Sequence, residues 1–521
     1  MNNNHYDVII IGTGAGGGTL ARILAPSGKK ILVLERGNFL PKEKANWDSQ
    51  QVYGKDCYRT TEVWYDKDGN PFQPFTHYFV GGNTKFYGSA LYRFRDRDFE
   101  EVLHKGGISP EWPLKYPDFE PYYTKAEKLY DVHGKRGLDP TDPPSDQDYP
   151  FPPISHEPAI EKIGYALKER GFHPSYQPLG IKLNEVNRFL SDCVRCSTCD
   201  GFPCLVNAKA DADINGIRPS LVYDNLTLIT EAKVSRLHTS PSGREVTGVE
   251  AEIAGKRHRF SSDLVVVAGG AINSAVLLLR SANDQHPNGL ANRSDLVGRH
   301  YMRHQLSAIV AFGMQANRTV YPKTLAVNDF YWGEPDFPYP MGHIQTLGNI
   351  TEDRAAASSP PFVPRKLIPR AVFKAISDRT TPWFLIAEDL PNPNNRVRIK
   401  GQKIFLEYTS NNQEALQRLI QRWKAVLKSI EPLSVFFTTQ MSIQDVGHQC
   451  GTCRFGQDPT TSVLDLNCRT HEIDNLYVVD SSFFPSSAAL NPTLTIIANA
   501  IRVGEHLLER MCCSNPLSTW A

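Results

Sequence analysis

The chain has 521 residues, of which 40% are hydrophobic and 22% charged, and its formal net charge is +1. That length calls for two or three cooperating units able to bury large cores. So even a charge balance excludes general steering toward nucleic acid or an anionic membrane, and small molecules are the expected partners.

In chain order, Met1–His5 is a short polar tail rather than a basic-then-apolar leader, so no secretory signal is expected and the cytoplasm is the expected location. The first buried strand is predicted over Tyr6–Ile11. It runs into a turn that satisfies G-x-G-x-x-G at Gly12, Gly14 and Gly17. Gly12 permits the tight turn, Gly14 lets the backbone approach a pyrophosphate, and Gly17 allows the following helix to pack on the strand. The helix N-terminus offers N–H groups and partial positive charge to phosphates. A second strand over Lys30–Leu34 delivers Glu35, placed where an acidic residue binds ribose hydroxyls and repels the 2′-phosphate of NADP. Strand, glycine turn, helix, strand and terminal acid together predict a dinucleotide-binding βαβ unit.

Residues 135–160 are rich in proline and aspartate and read as an extended excursion or lid. Next comes a dense run of thiols, Cys193, Cys196, Cys199 and Cys204, among ten cysteines in all. Closely spaced thiolates can hold an iron–sulfur cluster or zinc. Structural thiols in a tight loop are the expectation, and no metal is assigned. Leu264–Ala268 reads as another strand covered on both faces. The uncharged apolar stretch Leu264–Leu279 is interrupted by Gly269, Gly270 and Asn273. It falls short of the ~20 residues a spanning helix needs and reads as strand, turn and helix, so no integral membrane segment is expected.

From about 305 to 410 the pattern shifts toward aromatics, prolines and alternating strands such as Trp383–Glu388 and Arg396–Leu406. Gln413–Ile430 then places Leu416, Leu419, Ile420, Trp423, Val426, Leu427 and Ile430 on one helical face. Asn475–Val479 predicts a buried strand ending at Asp480. Asn491-Pro492-Thr493 opens a last helix over Leu494–Met511, since Asn caps well and Pro suits the first helical position. A helix N-terminus beneath an isoalloxazine ring would stabilise negative charge on reduction, which favours FAD over NAD.

These segments resemble the glucose-methanol-choline (GMC) oxidoreductase family over nearly the whole chain. The matching stretches are Gly12–Gly17 with Glu35-Arg36-Gly37, Val80-Gly81-Gly82-Asn83-Thr84, Leu264–Leu279, His448-Gln449-Cys450-Gly451-Thr452 and Asn475–Thr495. The resemblance implies an α/β fold: a Rossmann-like FAD-binding domain from 1–100, 205–300 and 455–515, with an inserted α+β substrate domain, 101–204 and 301–454, built on an antiparallel sheet. It implies that Asp480 meets the flavin ribityl chain and that the backbone at Pro492 and Thr493 meets the pyrimidine edge. Gly82, Asn83 and Thr84 would line the flavin, and Val234 the adenine. Many members carry Ser where Asn83 stands. Pyranose 2-oxidase attaches its flavin through a histidine in the glycine-glycine turn, where this chain has Phe86, so FAD is expected to be non-covalent.

The same resemblance makes His448 the base for the hydroxyl proton and Asn491 its partner on the substrate oxygen; a histidine near neutral pKa suits that work. A His–Asn rather than His–His pair resembles pyranose 2-oxidase, cholesterol oxidase, cellobiose dehydrogenase and glycoside 3-oxidase-like sugar oxidoreductases. A secondary alcohol on a ring, such as a sugar or glycoside, is the expected substrate, with oxygen or another electron acceptor reoxidising the flavin. The alternatives are a sterol or other cyclic-alcohol oxidase, an NAD-binding dehydrogenase, and the flavin subunit of an electron-transfer complex in which the cysteine run relays electrons. The cysteine spacing does not obviously match that of cluster-bearing relatives. His300 and His304 are assigned no chemistry.

Overall fold

The computed structural model describes residues 5–353, 368–445 and 447–512. Its first layer is a seven-stranded sheet in the order Leu226–Ile229, Ile31–Leu34, His5–Ile11, Lys256–Val267, Val246–Ile253, Ala232–Thr239, with Leu476–Val478 also paired to Lys256–Val267. The short strands are parallel: Ile9 lies opposite Leu32 on one side and Val265 on the other. Ile31–Leu34 is buried throughout, as a strand covered on both faces must be. The long strand Lys256–Val267 serves two neighbourhoods. Its first five residues pair antiparallel with Val246–Ile253, and its last seven pair parallel with the first strand. The predicted strand Leu264–Ala268 is therefore the buried end of a longer ribbon.

Helix Ala15–Leu24 follows the glycine turn and packs on the last helix, Thr493–Cys512. No helix among the described residues is long and apolar enough to cross a membrane.

A six-stranded antiparallel sheet forms the second layer, in the order Val435–Gln440, Gln305–Phe312, Thr380–Ala387, His343–Thr346, Leu325–Val327, Ser175–Tyr176. Period-two alternation divides its side chains. Ile309, Trp383 and Leu385 face helix Gln413–Ile430 and form one core with Leu416, Leu419 and Trp423. Leu306, Phe384 and Ile386 cluster on the opposite face. That helix has the bounds its periodicity predicts, and Trp423 meets Trp383 edge-on with centroids 4.8 Å apart.

The predicted single strand Arg396–Leu406 is instead a hairpin, Arg396–Lys400 and Lys403–Glu407. Gly401, at φ +58°, supplies the left-handed turn that reverses the chain. This hairpin pairs with Trp64–Asp66 and so joins residues 64–72 to 396–407 in one four-stranded sheet. Residues 135–157 contain no helix or multi-residue strand; Arg136 anchors them by ion-pairing with Glu127 and lying over the Tyr149 ring.

Candidate active site

One cavity of about 1400 Å³ runs between the two main sheets, with the glycine turn at one end and His448 and Asn491 at the other. Nothing in residues 135–160 lines it.

At the nucleotide end the turn is packed to its limit on one side and open on the other. Gly12 has φ +100°, and a Cβ there would lie 2.4 Å from the Ala268 carbonyl oxygen. A Cβ on Gly17 would lie 2.1 Å from the Gly12 oxygen, and one on Gly16 would lie 2.1 Å from the Val479 oxygen. Gly14 differs: a Cβ there would meet nothing within 4 Å, because it faces the cavity. Glu35 is buried at the end of the second strand. Its carboxylate accepts hydrogen bonds from Thr13 N at 3.0 Å, Thr13 Oγ1 at 2.5 Å and Gly37 N at 2.8 Å. Burial raises its pKa, opposed by those bonds. Val234 lines the same end from the antiparallel ribbon.

The turn Gly82–Lys85 forms one wall, entered through Gly81 in the left-handed region. Asn83 Oδ1 accepts from His77 N at 2.9 Å. The Thr84 hydroxyl donates to the Gly81 carbonyl and accepts from Ala212 N, so it braces the turn. Lys85 is buried between Asp211 and Asp213, at 3.0 and 2.9 Å. Phe86 is buried and stacks on His77, with centroids 3.8 Å apart.

Asp480 stands at the end of strand Leu476–Val478 and ties two turns together. One carboxylate oxygen accepts from Ser482 N at 2.9 Å and from Ser482 Oγ; the other accepts from Gly270 N at 2.9 Å and from Ser274 Oγ. Burial raises its pKa against those four bonds. The acid thus fixes the loop before helix Ala271–Arg280 against the loop that leads to Asn491.

At the other end, His448 and Asn491 line the cavity together with Leu306, Phe384, Gln345 and Met441 from the second sheet and its margin. Asn491 Oδ1 is buried with no hydrogen-bond partner. It therefore does not cap the last helix through that oxygen; the helix starts at Thr493, and the carbonyl of the preceding Pro492 accepts from Ile496 N at 3.2 Å. His448 is half-buried, and its environment holds the imidazole down to about 3, through burial and the neighbouring His304 ring. Nδ1 of His448 lies 2.9 Å from Nδ1 of His304. His304 is buried behind it, with Nε2 2.9 Å from the Ser487 carbonyl oxygen. The sequence carried no signal for His304 beyond its being a histidine near the start of a strand. Gln345 was also missed; its amide packs 2.9 Å from His343 Nε2. His300 does not line the cavity.

The cysteine run forms a cluster of thiols among cations and a phenol. Cys199 Sγ lies 3.6 Å from Tyr321 Oη and 4.0 Å from Lys323 Nζ, while the thiols of Cys193 and Cys204 accept backbone N–H groups at 3.4 and 3.3 Å. Burial pushes Cys193 up to about 12 and also raises Cys196. Among the described residues no three His, Cys, Asp or Glu side chains converge as metal ligands.

Comparison with known proteins gives two family models described as GMC oxidoreductase, matching residues 58–306 and 392–500. A Streptomyces lividus 6'''-hydroxyparomomycin C oxidase is 30% identical, with 97% of this chain and 92% of that protein covered. A Streptomyces fradiae paromamine 6'-oxidase is 29% identical, with 95% and 90% covered. Among solved structures, pyridoxine 4-oxidase from Mesorbium loti superposes with a TM-score of 0.68 at 18% identity, covering 96% of this chain and 99% of that one.

Proposed function

Since the chain belongs to the GMC oxidoreductase family and is an FAD-dependent alcohol oxidoreductase, we propose that it oxidises a secondary hydroxyl of a sugar or glycoside to a ketone. The observation that carries this reading is the single cavity joining Gly14 and Glu35 to His448 and Asn491. Its residues suit the cofactor. Gly14 leaves room where a pyrophosphate would approach, and Asn491 holds a buried acceptor in want of a donor. Gly12, Gly14, Glu35 and Val234 would hold the adenosine half, with Gly17 packed behind the turn rather than lining the cavity, and Gly82, Asn83, Thr84, Asp480, Pro492 and Thr493 would hold the flavin half. Bound FAD supplies a two-electron acceptor for hydride.

The chain's own residues do the rest. His448, neutral at working pH, accepts the hydroxyl proton, and Asn491 orients the substrate oxygen so that the reacting C–H points into the cofactor space. Leu306, Phe384 and Met441 exclude water, while Gln345 offers a polar group to a neighbouring hydroxyl. The flavin is read as non-covalent because Phe86 has no nucleophile. The relatives named for 6'''-hydroxyparomomycin C and paromamine support a carbohydrate-like substrate.

The test is anaerobic bleaching of the flavin band by free sugars, glycosides, aminoglycosides and sterols, followed by trapping of the carbonyl product. A ketone from a glycoside is expected. An aldehyde would move the reaction to a primary hydroxyl, and bleaching by sterols alone would overturn the sugar reading. His448→Ala should keep the flavin colour and slow bleaching by about 10²–10⁴-fold; undiminished bleaching would remove His448 as base.

A further inference from the structure

His448 and His304 touch through the same kind of nitrogen, Nδ1 to Nδ1 at 2.9 Å, with the rings edge to face at 89°. A hydrogen bond between two imidazole nitrogens needs one N–H and one bare lone pair, so one ring must give and the other receive. The far side of His304 decides which. Its Nε2 lies 2.9 Å from the Ser487 carbonyl oxygen, which can only accept. His304 therefore carries its hydrogen on Nε2. Burial holds this ring down to about 4, so it is neutral and its Nδ1 is bare. That bare nitrogen receives the Nδ1–H of His448. With its own single hydrogen so placed, neutral His448 presents a bare Nε2.

We propose that His304 is a positioning residue for the reaction: it holds His448 in the tautomer with a bare Nε2 and takes up charge when the substrate proton arrives. The inference rests on the reading of His448 as base. In the step itself, the substrate O–H bond breaks and its proton adds to the Nε2 lone pair of His448. The His448 Nδ1–H is drawn toward, or onto, Nδ1 of His304, so one positive charge is shared by two rings. FAD, when bound, would supply the two-electron acceptor for the carbon's hydrogen, so that the substrate is left as a neutral carbonyl. A charge-assisted bond of this kind is about twice as strong as a neutral one. As a neutral acceptor, His304 opposes the low basicity that burial imposes on His448, whereas a positive charge already on His304 would deepen it. Glu388 also favours a cation on His304 electrostatically, and is itself held by Ser109 Oγ at 2.6 Å and His104 Nε2 at 3.0 Å.

The tautomer can be read without turnover. Holoenzyme labelled with ¹⁵N-histidine, with His448 assigned by difference from His448→Gln, should show a protonated, pyrrole-type Nδ1 and a bare, pyridine-type Nε2. A protonated Nε2 in the resting enzyme would overturn the proposal. His304→Phe should release His448 into a mixture of tautomers, whereas His304→Gln, whose amide oxygen can still accept, should keep the wild-type pattern. If His304→Phe leaves that pattern unchanged, His304 does not position His448. Should the Phe variant not fold, the wild-type and Gln spectra still decide.

With the glycoside that bleaches the wild type fastest, His304→Phe should slow flavin reduction by ~10²-fold and move the substrate Kd less than ~3-fold, with most of the rate recovered in His304→Gln. Equal reduction rates in Phe variant and wild type would also reject the proposal. Loss of rate in His448→Gln with none in His304→Phe would leave the base reading intact and remove only His304. Normal rates in His448→Gln with a bare Nε2 would remove the base reading instead.

Discussion

At His448 burial and the proposed chemistry pull in opposite directions: the surroundings of the ring disfavour the imidazolium that a base would become. Because the folded pKa is lowered to about 3, the neutral, proton-accepting form persists well below the usual histidine range. The rate of flavin reduction should accordingly stay flat from pH 8 down to about 5, with any acidic limb below that. A limb centred near 6.5 would show that the titrating base is an ordinary solvated histidine. Gln345 belongs to the same scale. If its amide binds a substrate hydroxyl as proposed, Gln345→Leu should raise KM ~10-fold with kcat little changed; an equal fall in kcat would assign it a role in the chemical step instead. His448 and Asn491 could be found in the sequence because each sits in a distinctive local string. His304 could not. It meets His448 across 144 residues of chain, and only the second sheet's path brings them together.

Among the elements, the glycine turn shows best what a pattern reveals and what it hides. The fingerprint reports Gly12, Gly14 and Gly17 because a pyrophosphate-binding turn between strand and helix asks for glycine at those three spacings. Gly16 is invisible to it, since the backbone it touches is Val479, near the other end of the chain. Gly16→Ala should therefore separate the first helix from the last strand and lower FAD content and Tm together, measured by flavin absorbance and thermal melting. A fully loaded, equally stable Gly16→Ala protein would contradict the close approach. The hairpin at Gly401 failed as a sequence reading for a related reason. Alternating residues continue through Arg396–Leu406 on both sides of a two-residue turn, and only the φ of Gly401 marks the reversal. Helix Gln413–Ile430 was plain because seven apolar residues obey one period. Trp423 is its keystone against Trp383, and Trp423→Ala should cost ~3–5 kcal/mol in chemical denaturation.

On the scale of the whole molecule, the cavity is walled by both main sheets, so a ligand that fills it joins them. Anything that binds only the folded state stabilises it, by about 2.7 kcal/mol at a hundredfold excess over Kd. Adding FAD to apoprotein should raise Tm in a concentration-dependent way, and the melting of both sheets should shift together. A shift confined to one of two separate transitions would mean that the layers unfold independently. The sequence conveyed an α/β layer and an antiparallel layer, yet not their joint sheet from residues 64–72 and 396–407, which rests on pairings too distant for any local pattern.

The order in which the first sheet is wound also bears on how the protein is made. Strands His5–Ile11 and Ile31–Leu34 are made well before their central neighbour, which ends at Val267, and the strand beyond that begins only at Leu476. Translation proceeds at ~5–20 residues per second, so the nascent chain waits about 20–90 s between Leu34 and Val478 with this layer incomplete. The strand that delivers Asp480 closes it only after that wait. The proposed flavin half of the site, built on Asp480, is therefore completed long after the glycine turn of the adenosine half, so FAD is expected to be captured only once that strand is in place.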